Sequence, residues 1–83
     1  MGGKEVLLDV RGDLRQGRDP FEKIMGAVQT LRPGERLVIL NIFEPVPLYD
    51  VLGAQGFVHR TEETPEGDWK VTFWQEETGD GNQ

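Results

Sequence analysis

The sequence predicts an α+β two-layer sandwich in which two helices cover one face of a mixed four-stranded sheet. Two observations predict this class: four short segments carry the apolar patterns of strands and two carry helical spacing, and the six follow one another in the order β-α-β-α-β-β. A strand, a helix and a strand in succession form a right-handed crossover in nearly all proteins, so the first two strands should be parallel. A chain of 83 residues has room for one core. We therefore expect a single domain over residues 1–75 and an acidic, disordered tail over residues 76–83.

The first strand and the first helix each have a clear start. Residues 6–10, VLLDV, form a short apolar run that stops at Gly12, which favours a strand. The helix should begin at residues 19–22, DPFE, where Asp19 fits an N-cap, proline follows at the first helical position and glutamate completes a capping box. Its buried face should consist of five apolar residues at spacings of three and four, namely Phe21, Ile24, Met25, Val28 and Leu31.

A central strand and a second helix follow. Residues 36–43, RLVILNIF, form a nearly continuous apolar run, which is typical of a central strand covered on at least one face. Pro47 fits the start of the second helix, and Gly56 suits a left-handed C-terminal cap. The apolar stripe of this helix should consist of Leu48, Val51 and Leu52.

The last part of the sequence predicts a hairpin. Residues 57–63 and 69–75 have strand patterns and are joined by PEGD, a turn whose proline and glycine suit a hairpin connection. Alternation along the last strand should direct Trp69, Val71 and Phe73 to the core. Lys70, Thr72 and Trp74 should share the opposite face.

The composition excludes several kinds of chemistry. The chain has no cysteine, so it can form no disulfide, thiolate metal site or persulfide, and it has no serine nucleophile. Its formal charge of −6 disfavours nucleic acid as a partner, because nonspecific binding depends on many contacts between cationic side chains and phosphates. His59 is the only histidine and should be a surface residue of the hairpin, so we predict no metal site and no cofactor. No apolar run is long enough to cross a membrane and the start lacks a signal-peptide pattern, so we expect a cytoplasmic protein.

Several short motifs, in their order and spacing, resemble a known group of proteins. The motifs are LLDVRG, a helix that opens with Asp-Pro, LRPGERLVI, FEPVPLY and GDWKVTF. They resemble the TusA/SirA-like proteins, and in particular a cysteine-less branch classified as a domain of unknown function (DUF2249). The resemblance covers roughly residues 5–75 and implies the same β-α-β-α-β-β sandwich. In the sulfur-carrying relatives a cysteine in a Cys-Pro-x-Pro motif bears a persulfide. Its place in this chain falls near Gly17, and Pro20 corresponds to the second proline.

Three arginines, Arg11, Arg15 and Arg18, lie on the predicted loop over residues 9–21. Guanidinium groups near a capped helix start could hold a carboxylate or a phosphate, because a helix N-terminus presents free N–H groups and arginine offers a planar pair of donors. The alternative is that the aspartates of the same loop neutralise all three arginines, and that Arg11 only ties the strand end to Asp9. We keep both possibilities open.

The FEPVPLY segment is the second candidate site. Rigid apolar groups beside a fixed carboxylate make a docking ledge, because they lose little entropy on binding, and the candidate residues are Glu44, Pro45, Pro47 and Tyr49. The alternative is that the two prolines only shape the link into the second helix, with Phe43 and Leu48 in the core. This segment and the arginine loop both follow the carboxyl end of a strand, so we expect them to form one surface.

Two functions follow from these sites. The first is a noncatalytic module that recognises another protein through the arginine loop and the FEPVPLY segment. The second is a small-molecule or anion binder, accessory to redox or nitrogen-oxide metabolism, with the arginines as its anchor. An enzyme would depend on carboxylates such as Asp9, Asp13, Glu44 or Asp50, which are too frequent to single out an active site, so we expect none. Trp74, if exposed on an open sheet face, would also allow a homodimer through that face.

Overall fold

The computed structural model describes residues 4–75 and has the predicted α+β sandwich. The described elements are, in order, β1 (Glu5–Asp9), α1 (Arg11–Arg15), α2 (Phe21–Thr30), β2 (Arg36–Asn41), α3 (Val46–Gly53), β3 (Phe57–Glu63) and β4 (Trp69–Gln75). The predicted tail over residues 76–83 lies outside the described residues. Within residues 4–75, no helix is both long enough and apolar enough to cross a membrane.

The sheet is mixed and has the strand order β1-β2-β4-β3. β2 is parallel to β1 and antiparallel to β4, so the first two strands are parallel as predicted and the last two form a hairpin. Leu37, Val38 and Ile39 in the middle of β2 are all buried, because this strand has a neighbour on each side. The continuous apolar run therefore identified the central strand correctly.

One face of the sheet packs against the helices. Leu37 lies opposite Phe73 and Ile39 opposite Val71, and none of these four side chains is more than 1 % exposed. The helices cover them with residues of the two predicted stripes, Ile24 and Val28 from α2 and Leu48 and Leu52 from α3. Removal of this apolar surface from water is the main favourable contribution to folding.

The other face of the sheet lies away from the helices. Leu7 is 64 % exposed there, whereas Val38 is buried between Leu7 and Thr72, its neighbours in register. Trp74 is on this face as predicted, but it is only half-exposed. The guanidinium carbon of Arg36 lies 4.8 Å from the centre of the Trp74 ring, which is a cation–π distance.

Residues 9–21 do not form one loop, because Arg11–Arg15 folds into a short helix, α1. Asp9 precedes the N-cap position, Val10, and its carboxylate accepts the backbone N–H of Arg11, the first residue of the helix, at 3.0 Å. Val10 and Leu14 lie one helical turn apart and both pack against the core, with Val10 fully buried. The prediction missed α1 because two apolar residues are too few to reveal a helical period.

α1 ends at a glycine in the left-handed region. Gly17 has a φ of 78°, and the N–H groups of Gly17 and Arg18 donate to the carbonyl oxygens of Leu14 and Asp13 at 3.0 and 2.8 Å. These two bonds make a Schellman motif, in which glycine avoids the steric cost of a side chain at positive φ. The motif turns the chain from α1 towards α2.

α2 begins at Phe21, one residue later than predicted. The Asp19 carboxylate accepts the Phe21 N–H at 3.0 Å, as an N-terminal capping side chain does. The predicted capping box is wrong, because the Glu22 side chain makes no hydrogen bond within residues 4–75. Phe21 is also not a core residue. It is 43 % exposed, because the first residue of α2 lies beyond the edge of the core.

β2 ends at Asn41, two residues before its predicted end. The Asn41 Oδ1 accepts the N–H of Ile42 at 2.8 Å and lies 3.4 Å from the N of Phe43. The side chain thereby takes backbone donors that a longer strand would offer to its neighbours, and the chain bends. α3 then starts at Val46, with Pro47 in its first turn as expected.

The hairpin has the predicted bounds. Alternation is regular along β4, where Val71 and Phe73 are buried on the helix face and Trp69 is half-buried beside them. Gly56, with a φ of 91°, ends the turn after α3 as predicted. Gly67, with a φ of 88°, lies in the PEGD turn and donates its N–H to Thr64 O at 2.9 Å.

Candidate functional site

Arg11 joins the end of β1 to the turn between β3 and β4. Its Nε and Nη2 donate to the two oxygens of Asp9 at 2.9 and 2.8 Å, and its Nη1 donates to Asp68 Oδ2 at 2.7 Å. β2 separates β1 from β4, so Arg11 connects two strands that are not neighbours in the sheet. The geometry matches the alternative in which Arg11 ties the strand end to Asp9, and it adds Asp68, which lies 57 residues away in sequence.

Arg15 and Arg18 are much more exposed than Arg11. The Arg15 side chain is 61 % exposed, and its Nη2 lies 3.8 Å from Asp68 Oδ1. The Arg18 side chain is 70 % exposed, and its Nη1 lies 3.9 Å from Asp13 Oδ1. Ion pairs this long and this exposed add little stability, and most of the guanidinium donors face solvent. These two groups are therefore available to a binding partner.

The charges around Arg11 change its ionisation and that of Asp9. Hydrogen bonds from the side chain and then the backbone of Arg11 hold the pKa of Asp9 at about 2, below its usual 3.8. The hydrogen bonds to Asp9 and then to Asp68 raise the pKa of Arg11 above its usual value. Both shifts favour the charged forms, so the pair stays ionised at all physiological pH values.

The FEPVPLY segment is divided between the core and the surface. Pro45 and Leu48 are buried and shape the link into α3. Phe43 is 49 % exposed and Val46 52 %, so the alternative that placed both Phe43 and Leu48 in the core is right for Leu48 only. The other candidates keep exposed surface: Glu44, Pro47 and, in part, Tyr49.

Tyr49 connects this segment to β3. Its hydroxyl donates to Glu44 Oε2 at 3.0 Å and lies 2.6 Å from Thr61 Oγ1. Partial burial raises the pKa of Tyr49 above its usual 10.0; the hydrogen bond with Thr61 lowers it, and the Glu44 carboxylate raises it further. This is the combination expected when the Thr61 hydroxyl donates to the phenol oxygen and the phenol donates to Glu44.

His59 packs on Tyr49 rather than facing a metal. Its imidazole is parallel to the Tyr49 ring, with 3.8 Å between ring centres and 1° between planes. Within residues 4–75, no three side chains of the types that bind metals cluster closely enough to hold an ion. The exposed histidine therefore has a packing contact that accounts for its position.

Residues of the arginine loop and of the FEPVPLY segment line one cleft, but none of the three arginines lines it. The cleft has a volume of about 200 Å³ and lies at the carboxyl end of β2. Leu14 and Phe21 line it from the arginine loop, and Phe43 and Pro47 line it from the FEPVPLY segment. The two segments therefore form one continuous surface.

A second cleft, of about 470 Å³, lies near the opposite end of β2, beside the turn between α2 and β2. Its lining includes Arg32, Glu35, Gln55 and Phe57. Glu35 is already engaged, because its Oε1 accepts the backbone N–H of Arg32 at 2.8 Å. None of the candidate residues named above lines this cleft, and we assign it no function.

Sequence reasoning missed three residues that organise the site. Asp68 pairs with Arg11, Thr61 bonds Tyr49, and Asn41 lies in the cleft with only 3 % of its surface exposed. Only Asn41 leaves a signal, because it is the one polar residue in the run from Leu37 to Phe43. A lone amide inside such a run indicates a specific hydrogen-bonding role, since a buried polar group is costly when unpaired.

A comparison with models of known protein families identifies the family of this chain. A family model described as an uncharacterized conserved protein (DUF2249) matches residues 7–75. The chain belongs to this family. The comparisons with curated proteins and with solved structures found no match to this chain.

Three of the four carboxylates considered for acid–base work in this DUF2249 domain have partners. Asp9 binds Arg11, Asp13 binds Lys23 Nζ at 2.8 Å, and Glu44 binds Tyr49. Asp50 is exposed. The guanidiniums of Arg15 and Arg18 also remain exposed, and so do the rings of Phe21 and Phe43, which line the cleft.

The Asp9–Arg11 pair should make the stability of this DUF2249 domain depend on pH below 4. The pKa of Asp9 is lower in the folded protein than its usual 3.8, so the contribution of the pair is complete above that value. It is lost as the pH falls towards about 2. Because the Asp9 side chain is 45 % exposed, we expect this contribution to be below about 1 kcal/mol.

The measurement is the free energy of unfolding of the wild type and of Arg11→Met between pH 5 and pH 2. The difference between them should shrink as the pH falls through this range. Arg60→Met is the matched control, because it removes one positive charge from an exposed contact with Glu62. A difference between wild type and Arg11→Met that stays constant with pH would contradict the assignment.

Tyr49 is the only tyrosine, so the phenolate absorbance of the chain reports on it alone. We expect its pKa to lie above 10 in the folded protein, and to fall in Glu44→Gln, because glutamine removes the negative charge beside the phenol. Glu22→Gln, on the exposed side of α2, is the control and should leave the titration unchanged. An unchanged midpoint in Glu44→Gln, with circular dichroism showing folded protein, would argue against the bond.

Proposed function

We propose that this chain is a noncatalytic module that recognises another protein, on a TusA/SirA-like sandwich that lacks the carrier cysteine. The order of strands and helices supports the likeness to that superfamily. Gly17, near the place of the cysteine, has a φ of 78° and ends α1, so this position serves the backbone. The chain has no cysteine, so it cannot carry sulfur. Of the two activities of a sulfur-carrier protein, sulfur transfer and partner recognition, only recognition can remain.

The pairing of the three arginines is the observation that carries the proposal. Each nitrogen of the Arg11 guanidinium donates to Asp9 or Asp68, and none of the three arginines lines the cleft. Three guanidiniums directed into one concavity would favour an anion as ligand. Arginines spread over a surface, each near an aspartate, favour a partner protein instead, because exposed arginines and aromatic residues are typical anchors of protein interfaces.

The composition of the surface indicates the kind of partner. Arg15 and Arg18 are exposed on the same segment, residues 9–21, as Phe21, whose exposed ring lines the cleft together with that of Phe43. A partner with carboxylates around an apolar centre is complementary to this pattern. Nucleic acid is a poor match as a partner, because the chain has a net charge of −6. We also propose that the protein acts in the cytoplasm.

A pull-down with quantitative mass spectrometry tests the proposal. We expect at least one protein captured by the wild-type chain to be depleted about tenfold or more by the double variant Arg15→Ala, Arg18→Ala, because interface arginines commonly contribute more than 1 kcal/mol each. Recombinant binding of that protein, measured by calorimetry, should show the same loss. The double variant Arg32→Ala, Arg60→Ala removes the same charge elsewhere on the surface and should retain the partner. Identical partner lists for all three chains would refute the docking role.

We propose a second copy of the chain as the partner for the open sheet face. Leu7 is 64 % exposed there and Val58 36 %, and the face carries charges of both signs, as a self-complementary interface requires. Sedimentation should show a dimer for the wild type and a monomer for Leu7→Lys. A wild-type chain that remains monomeric at about 100 μM would rule out a dimer with a Kd below about 100 μM, and with it this proposal.

A further inference from the structure

The cleft between the arginine loop and the FEPVPLY segment has the features of a small-molecule site. It is concave, has a volume of about 200 Å³, and is lined mostly by apolar groups, among them Phe21, Phe43, Pro47 and Leu48. It lies at the carboxyl end of β2, where open α/β sheets usually bind ligands. Phe21 and Phe43 both line it while remaining 43 % and 49 % exposed.

Asn41 gives this cleft a specific polar group. The side chain extends to the helix face at the end of β2, is 97 % buried and lines the cleft. Its Oδ1 is held by the N–H of Ile42 at 2.8 Å, which fixes which end of the amide is oxygen. The Nδ2 group makes no hydrogen bond to any of the residues 4–75. A buried amide with two unused donors is costly, so an acceptor placed in the cleft would be strongly favoured.

The size of the cleft limits the ligand. An apolar protein cavity of about 150 Å³ is known to accommodate benzene, so 200 Å³ holds one aromatic ring with a small substituent. The substituent must reach the buried Asn41 side chain, which forms the floor of the cleft. It must carry a hydrogen-bond acceptor, because the Asn41 Nδ2 group only donates. A carboxylate is disfavoured, because Asp19 lines the same cleft and would repel it.

We propose that the cleft binds a compact aromatic compound with an uncharged carbonyl oxygen, whose ring packs on Phe21 and Phe43 and whose oxygen accepts a hydrogen bond from Asn41 Nδ2. The cleft shares Phe21 and Phe43 with the proposed docking surface, but its test depends on Asn41 and benzamide, whereas the docking test depends on Arg15 and Arg18. The two proposals can therefore fail separately. Occupation of the cleft would also fix the relative position of the two segments that form the docking surface.

The test is a titration of the full chain with benzamide, followed by NMR of the backbone amides and of the Asn side-chain NH2 groups. We expect saturable shifts centred on Phe21, Phe43 and the Asn41 side chain, with a Kd on the order of 1 mM, as is usual for a fragment of this size. Toluene matches the ring but lacks the acceptor, and should bind about fivefold more weakly. Benzoate should bind more weakly than benzamide, because it is charged.

Two variants, together with a control, separate the contribution of the aromatic wall, Phe43, from that of the buried amide, Asn41. Phe43→Ala should weaken benzamide binding about fivefold or more, because it removes one aromatic wall. Val46→Ala is the matched control: Val46 is 52 % exposed in the same segment but does not line the cleft, so its Kd should stay within about twofold of wild type. Asn41→Asp keeps the oxygen that accepts from Ile42 and removes the donors, and it should abolish the preference for benzamide over toluene.

Three results would overturn the proposal. The first is the absence of saturable shifts up to about 20 mM benzamide, far above the expected Kd. The second is a set of shifts centred on the larger cleft near Arg32. The third is equal affinity for benzamide and toluene in the wild type, which would remove the role of Asn41. Because Phe43 is largely exposed, Phe43→Ala remains informative even if Asn41→Asp does not fold.

Discussion

The Arg11 guanidinium holds together three parts of the chain that the backbone alone does not join. It belongs to α1, and it binds Asp9 at the end of β1 and Asp68 in the turn of the hairpin. β1 and β4 never pair, so without this contact the end of β1 would be attached to the sheet only through β2. Because a guanidinium has donors in a fixed plane, it can bind two carboxylates at once in a defined geometry, which lysine cannot do.

The sheet and most helices were predictable because their signals are local. The bounds of β3 and β4 follow from alternation on either side of a proline–glycine turn, and the core position of β2 follows from one unbroken apolar run. α1 was not predictable, because its stability comes from an N-terminal aspartate and a C-terminal glycine rather than from an apolar stripe. The exposure of Phe21 was not predictable either, since helical spacing assigns a face but does not show where the core ends.

The candidate site was predictable as a location and not as a set of contacts. Two segments that follow strand ends were expected to meet, and they do so across the cleft that Phe21 and Phe43 line. The partners of the side chains depend on contacts between distant parts of the sequence. Asp68 reaches Arg11 only because the hairpin turn folds over the carboxyl end of β2, and Thr61 reaches Tyr49 only because β3 lies beside α3. A composition of many carboxylates predicts that arginines will be neutralised, but it does not say which ones.

The proposed docking and the proposed ligand binding would depend on different forces. In the docking role, the exposed guanidiniums of Arg15 and Arg18 would act over several ångströms, would accelerate association with an acidic partner and would be weakened by salt. In the ligand-binding role, the cleft would act only at contact, through apolar area and the Asn41 donor, and would be nearly insensitive to salt. Tyr49 bonds both Glu44 of the FEPVPLY segment and Thr61 of β3, and these bonds hold the segment in place in the absence of a ligand. A proposed partner or ligand would therefore lose little binding free energy in ordering these side chains, because they already have hydrogen-bond partners.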